Sequence, residues 1–333
     1  MSLCVLGDIH FRDDHPYFCK ASEEFLKWFS NWERNSSNNS LILTGDLVES
    51  ALLTGRVASY LERFYQYSNF KEIHICCGNH DKKKFHDKDQ LAYEFYKDKP
   101  NVFVYETLTI TSIEDKKVLM LPYYLGIDDN GKNMSTYYST FAEETKDEYD
   151  LVVGHICGDD VGFAGSSDCV VGLDKYPTKK MILGHIHTRN INPNRYIGSV
   201  FSCKKNENDD TRSALILERG VWKEERLPVF TEFLTVSYPE KLPESKALVP
   251  IYTVLNCKSE SIARQKYGDI NIKRVTLDAI DSISTTGVLN SDFSSIKELD
   301  VKELLKNFFK DMETPYAKDI EKECIELLNN SVV

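Results

Sequence analysis

The sequence predicts an α/β fold: a sheet flanked by helices, then a smaller α/β unit and a helical tail. Three observations predict it. Short apolar runs of strand length alternate with stretches of helical periodicity over the first 228 residues. Five of those runs stop at a glycine followed directly by Asp, Asn or His: Gly7-Asp8, Gly45-Asp46, Gly78-Asn79, Gly154-His155 and Gly184-His185. After Pro228 the texture changes, and a short strand, strand, helix, strand unit follows.

The elements follow in order. Residues 2–6 are an apolar first strand. Residues 17–32 carry Phe25, Trp28 and Phe29 at helical spacing. Residues 41–44 make a second strand. Residues 53–67 predict a helix with Val57, Leu61, Phe64 and Tyr65 on one side. Residues 73–77 predict a third strand, residues 90–97 a helix, and residues 102–118 two or three short strands. Residues 151–153 and 180–183 are apolar strands on either side of a glycine- and serine-rich loop, residues 158–167. Residues 195–199 read as a strand and turn. Residues 214–218 and 221–226 pair across Arg219-Gly220 as a hairpin.

Beyond Pro228, residues 230–236 and 249–257 are strands. Ser259 caps a helix that runs to Tyr267 and is closed by Gly268. Residues 270–277 form a last strand. A serine- and threonine-rich stretch, residues 281–295, reads as a linker. Two amphipathic helices finish the sequence. Asp300 and Glu303 fit a capping box before the stripe Val301, Leu304, Leu305, Phe308, Phe309 and Met312. Thr314-Pro315 opens the second, with Ile320, Cys324, Leu327 and Leu328 inward. The expected domains are residues 1–228, residues 229–280, the linker 281–295 and the helical segment 296–333.

Composition bounds the function. The 333 residues are 41% hydrophobic and 28% charged, ordinary for a globular protein. No apolar run is long enough to span a bilayer, and the first residues start a strand rather than a signal peptide. Nine scattered cysteines, an odd number with no Cys-x-x-Cys pair, favour reduced thiols and a cytoplasmic location. The net charge of −11 weakens a nucleic-acid reading without removing it, since local patches and bound cations can still hold DNA.

The five glycine-led turns carry the chemistry. In open α/β sheets, ligands bind beyond the carboxyl ends of the strands. Five such ends would deliver Asp8, His10, Asp46, Asn79, His155, His185 and His187 to one edge. Seven donors are too many for one tetrahedral ion. They suit two cations roughly 3.5–4 Å apart sharing a carboxylate. Mixed imidazole and carboxylate suits Mn2+, Fe2+ or Zn2+; all-oxygen ligation would suit Mg2+ or Ca2+. A single histidine after a strand is more often a hydrogen-bonded structural residue, and Asp46 alone could cap a helix. Taken together, the turns would leave buried acids and imidazoles without partners unless a cation joined them. His80 can hold or give a proton near neutral pH, and Asp81 could fix its tautomer.

In this order the motifs Asp8-x-His10, Gly45-Asp46, Gly78-Asn79-His80-Asp81, Gly154-His155 and Gly184-His185-x-His187 resemble those of the calcineurin-like metallophosphoesterase superfamily. The resemblance implies a β-sandwich flanked by helices. It implies that Asp8, His10 and His187 hold one divalent cation, that Asn79, His155 and His185 hold a second, and that Asp46 bridges them. His80 would act on the leaving oxygen, oriented by Asp81. Mn2+ is the first expectation for both cations, with Mg2+, Fe2+ or Zn2+ as alternatives. Glu49 departs from the pattern, because many members carry Asp or His there.

Residues 195–199, Arg-Tyr-Ile-Gly-Ser, resemble a segment of the SbcD-type double-strand-break repair nucleases and their phage relatives. That resemblance implies a DNA exo/endonuclease and a capping role for residues 229–280. It implies that the C-terminal helices grip an SMC-like ABC-type ATPase. It also implies a homodimer through helices near residues 53–67 and 90–97, in a host cytoplasm if phage-encoded. Arg12, Arg195 and Lys204, with Lys205 and Arg212, are candidate phosphate contacts or solvated surface charge. Tyr123 and Tyr124 are candidate base-stacking or core residues. The other enzyme reading is a stand-alone phosphodiesterase or phosphatase, and a further one is a metal-free binding scaffold.

Overall fold

A computed structural model describes residues 2–85, 88–123, 134–145, 147–159, 170–189, 192, 195–208 and 211–276. The expected linker 281–295, the tail helices 296–333, Tyr124 and most of the loop 158–167 lie outside them.

The strands are β1 (Ser2–Leu6), β2 (Ser40–Leu43), β3 (Glu72–Cys76), β4 (Lys82–Phe85), β5 (Lys88–Leu91), β6 (Val102–Tyr105), β7 (Thr109–Ile113), β8 (Lys116–Leu121), β9 (Leu151–Gly154), β10 (Cys157–Gly158), β11 (Val170–Val171), β12 (Met181–Leu183), β13 (Ser213–Glu218), β14 (Val221–Arg226), β15 (Thr231–Ser237), β16 (Val249–Leu255) and β17 (Asn271–Val275). The helices are α1 (Pro16–Asn31), α2 (Gly55–Tyr67), α3 (Met134–Thr145) and α4 (Glu260–Tyr267). A six-stranded sheet runs β14-β13-β1-β2-β3-β6, and a four-stranded sheet runs β12-β9-β8-β7.

Strand periodicity explains how the two sheets stack. Successive side chains point to opposite faces. On β1, Leu3 and Val5 join Val118, Met120, Leu151, Val153 and Ile182 in a core between the sheets. Cys4 and Leu6 face the other way, into a core built with Phe25 and Phe29 of α1 and Leu61 and Phe64 of α2. On the outer face of the second sheet, Leu119, Leu121 and Val152 pack with Tyr138 and Ala142 of α3. Both strand faces are therefore apolar, as in a sandwich covered by helices.

β1, β2, β3 and β6 are mutually parallel. So are β8, β9 and β12. Their carboxyl ends share one edge of each sheet, and every glycine-led turn emerges there. β13 returns antiparallel to β1 and pairs with β14 through a tight hairpin. Its turn residues Arg219 and Gly220 both take positive φ, at 52° and 78°, as a two-residue hairpin turn requires.

The segment after Pro228 builds a parallel sheet, β15-β16-β17, with α4 on it. Ser259 accepts a hydrogen bond from the Ile262 amide at 3.3 Å, the expected cap. Phe230, Phe233, Val249 and Ile251 share the aromatic core of α1. Residues 1–277 make one compact unit.

Two expectations change. Residues 90–97 are not a helix: Gln90 and Leu91 end the β4–β5 hairpin, and only a single turn, Glu94–Asp98, follows. Burial of Tyr93 and Tyr96 sets that geometry, not helical periodicity. One of the two helices expected at a dimer contact is thus absent. Residues 195–199 form no strand; Tyr196 makes a single bridge to Leu183, and its hydroxyl accepts from the Gly158 amide at 2.8 Å.

Candidate metal centre

All seven predicted donors meet at the shared edge. The backbone gives way to make this possible. His10, Asp46 and His185 take positive φ, at 54°, 46° and 75°, a region that side chains with a Cβ rarely adopt and that clusters at functional sites. The turns interlock through backbone bonds. His10 N donates to Asp46 O at 2.9 Å, His185 N to Asp8 Oδ2 at 2.8 Å, and His80 N to Asp46 Oδ1 at 2.8 Å. A Cβ on Gly184 would overlap Asp8 Oδ1. Only glycine allows that approach.

Asp46 lies between two groups of donors. Its Oδ2 is 3.7 Å from His10 Nε2 on one side and 3.2 Å from His155 Nε2 on the other. On the first side, His10 Nε2 faces His187 Nε2 at 2.9 Å, with Asp8 in the same group. On the second side, Asn79 Oδ1 lies 3.0 Å from both His155 Nε2 and His185 Nδ1. Thr44 supports both sides: its hydroxyl reaches Asp8 Oδ1 at 3.2 Å, and its carbonyl accepts from His155 Nδ1 at 2.9 Å. Asp8, His10, Asp46 and His155 are buried to 1% exposure or less.

The electrostatics are those of a site built for cations. Burial raises the Asp8 carboxyl, with Asp46 adding to the rise against the pull of His155. Burial acts to raise Asp46 as well, but His155 and His10 hold it well below the ordinary carboxylate range. Burial lowers His155, yet Asp46 and Asp8 carry it up to about 9. Burial and the neighbouring His155 push His185 down to about 3. Burial lowers His187, but Cys203 and Glu207 carry it to about 11. Protons on His155 and His187 thus stand in for positive charge that the buried carboxylates demand.

The residues fit divalent cations. Two facing Nε2 atoms can hold at most one proton between them, so at least one ring brings a lone-pair nitrogen, not an N–H, into a group that also holds the buried carboxylates of Asp8 and Asp46. Imidazole nitrogen, carboxylate oxygen and one neutral amide oxygen together suit Mn2+, Fe2+ or Zn2+.

Asp81, not His80, departs from its expected place. The His80 ring stands edge-on to His10, with centroids 5.1 Å apart. Its Nδ1 donates to Glu49 O at 2.7 Å, which leaves Nε2 as the nitrogen not used by that bond. Asp81 does not orient this ring. Its Oδ1 accepts from the Leu47 and Val48 amides at 2.8 and 3.3 Å, and its Oδ2 from Gly78 N at 2.8 Å. Asp81 is a buried strut that ties the second and third turns together.

The basic candidates separate. Arg12 already contacts Asp14 and Glu49 and lies over Phe18 at 4.2 Å. Arg212 is buried, and donates to His187 O at 2.7 Å, Ser199 O at 3.0 Å and Glu207 O at 2.9 Å, a loop brace rather than a surface contact. Arg195 lines a groove with Tyr176, Lys179 and Lys180 that contains none of the seven donors. Lys204 is exposed and Lys205 reaches Thr235. Tyr123 leans on His185, with centroids 5.8 Å apart.

Residues 1–189 match the calcineurin-like phosphoesterase family, more than half of the chain. The chain belongs to that family. Its members use two divalent cations, and the two groups of donors here supply candidate ligands for them. The chain is therefore a metal-dependent phosphoesterase by family. No curated protein matches it. Among solved structures, it is similar to a protein of unknown function from Aquifex aeolicus, with 16% identity over 53% of this chain and 87% of that one, at a TM-score of 0.30. Among the described residues, no helix of this phosphoesterase is long and apolar enough to cross a membrane.

Sequence reasoning missed three supports: the Glu49 side chain, Thr44 and Glu207. Glu49 carried a signal, since it sits three residues after Asp46 and breaks the family pattern. Glu207 lies in a charged loop and carried none.

Proposed function

We propose that this chain is the nuclease subunit of a recombination or double-strand-break repair complex, hydrolysing DNA phosphodiester bonds beside an SMC-like ATPase. The carrying observation is Asp46, set between two groups of nitrogen and oxygen donors. Asp8, His10 and His187 would hold one cation, and Asn79, His155 and His185 the other. Bound there, two divalent cations acidify a water and offset charge on the phosphoryl oxygens. The chain's own groups do the rest. His80, held through its Nδ1–H by the Glu49 carbonyl, would as the imidazolium give its Nε2 proton to the leaving oxygen and be left as the neutral ring. Asp81 holds the Leu47, Val48 and Gly78 amides so that Asp46 and His80 keep their spacing. Residues 195–199 and the added β15-β16-β17 unit support DNA as substrate through their likeness to SbcD-type nucleases.

The net charge of −11 favours a second reading, a phosphodiesterase acting on small or protein substrates. One experiment separates them. The purified chain with Mn2+ is assayed on linear duplex DNA and on bis(p-nitrophenyl) phosphate, with and without an SMC-like ATPase. Duplex cleavage stimulated by the ATPase and ATP supports the nuclease. Turnover of the small diester with intact DNA supports the second reading.

A further inference from the structure

The two imidazoles that face each other at 2.9 Å share a second feature. Behind each lies a carboxylate, and behind each carboxylate an arginine. His10 Nδ1 is buried with no aligned hydrogen-bond partner, and Glu49 Oε2 stands 3.0 Å from it. Arg12 Nη1 is 3.2 Å from that same oxygen. On the other side, His187 Nδ1 is 3.4 Å from Glu207 Oε1. Glu207 Oε2 accepts from Cys203 N at 2.7 Å and lies 3.7 Å from Arg212 Nη2. The second arrangement uses residues 177 and 158 positions away from the first, on different elements, so local sequence does not force the symmetry.

We infer that Glu49 and Glu207 are positioning residues that fix the tautomers of His10 and His187. Each draws the N–H to Nδ1 and leaves the Nε2 lone pair facing the centre. Each also makes its imidazole a stronger donor. Arg12 and Arg212 balance the added negative charge, which keeps both carboxylates ionised next to buried acids. His155 differs, because a neutral carbonyl, Thr44 O, backs it. The Asp8, His10 and His187 side is therefore built to bind its cation more tightly than the Asn79, His155 and His185 side. Arg12 and Arg212 serve the centre through these carboxylates, not through phosphate.

The inference rests on the two-metal reading of the centre, and one experiment keeps the two apart. Mn2+ is titrated calorimetrically into the metal-free full chain, wild type and variants. Two unequal sites are expected in the wild type. Glu49→Leu and Glu207→Leu each weaken the tighter site 10- to 100-fold, the usual cost of losing such a support. Glu49→Gln and Glu207→Gln keep an acceptor and recover most of that loss. The weaker site is unchanged throughout. Melting of the metal-free variants checks the fold. Should Glu207→Leu not fold, the partly exposed Glu49 carries the test. A wild type that binds no Mn2+ sinks the two-metal reading. A wild type with two sites, unchanged in the leucine variants, overturns this inference alone.

Discussion

Gly78 lies so close to Asp46 that a β-carbon on it would overlap Asp46 Oδ1 and crowd the Asp46 amide. Neither neighbour can yield cheaply. Oδ1 already accepts from His80 N, and the Asp46 backbone is locked at positive φ. Gly78→Ala therefore displaces the carboxylate between the two donor groups. We expect the variant to fold but to lose at least about tenfold in metal affinity, with activity falling alongside. Mn2+ titration checks it, and wild-type affinity would show that the turn relaxes freely.

Metal uptake should release protons. Without cations, His155 and His187 hold protons at neutral pH, since their values lie at about 9 and about 11. Ligand nitrogens must give theirs up. Calorimetry at pH 7.5 in buffers of different ionisation enthalpy should report about two protons released per filled centre. The number should fall towards one as pH rises through about 9, where His155 has already lost its own. A buffer-independent enthalpy would contradict this.

His80→Gln should keep both metals and slow cleavage by roughly 10²–10⁴-fold, the range for an acid–base group. Its ring is fixed from behind by Glu49 O, so the loss falls on kcat more than on KM. Loss of bound metal in this variant would reassign His80 as a ligand.

Asp81→Ala should cost on the order of 3 kcal/mol of stability, because three buried amides lose their acceptor. Denaturant unfolding of the metal-free chain measures it. An unchanged midpoint would mean that water replaces the carboxylate.

His74 gives an acid limb to stability that is independent of the centre. It is buried on β3 beside Tyr105 and Phe103, and burial lowers its value to about 4. The unfolded chain takes up the proton below about 6.5 and the folded chain only below about 4. Stability from this group is thus full above 6.5, falls by roughly 3 kcal/mol between 6.5 and 4, and falls no further below. His74→Gln should flatten that stretch of a Tm-against-pH curve. Parallel curves would exclude His74 as the source.

The legible parts of the sequence were those with local causes. β1 matches the apolar run 2–6, because both faces of that strand are buried. α4 matches because its ends are marked by Ser259 and Gly268. The seven donors were legible because each follows a glycine at a strand end. What failed depended on distant partners. The β4–β5 hairpin, so rich in lysine, has no apolar alternation to announce it. α3 was not foreseen, since its tyrosines and threonines are weak helix formers held by packing of Tyr138. Asp81 was expected behind His80, but three amides that meet only in the folded chain claim it first.

His10 and His187 touch across 177 positions of chain, and His155 and Thr44 across 111. Contacts of that span carry a high loop-closure cost and slow the search for the native state. The two donor groups are therefore complete only once β9 has paired with β8 and β12 with β9. During synthesis, the acidic and imidazole turns of the first hundred residues wait exposed for partners not yet made. A cation present at that stage meets an incomplete set of ligands, so faithful loading belongs to the finished sandwich. Refolding should therefore show metal uptake lagging behind secondary structure, with a rate set by the chain and not by the ion concentration.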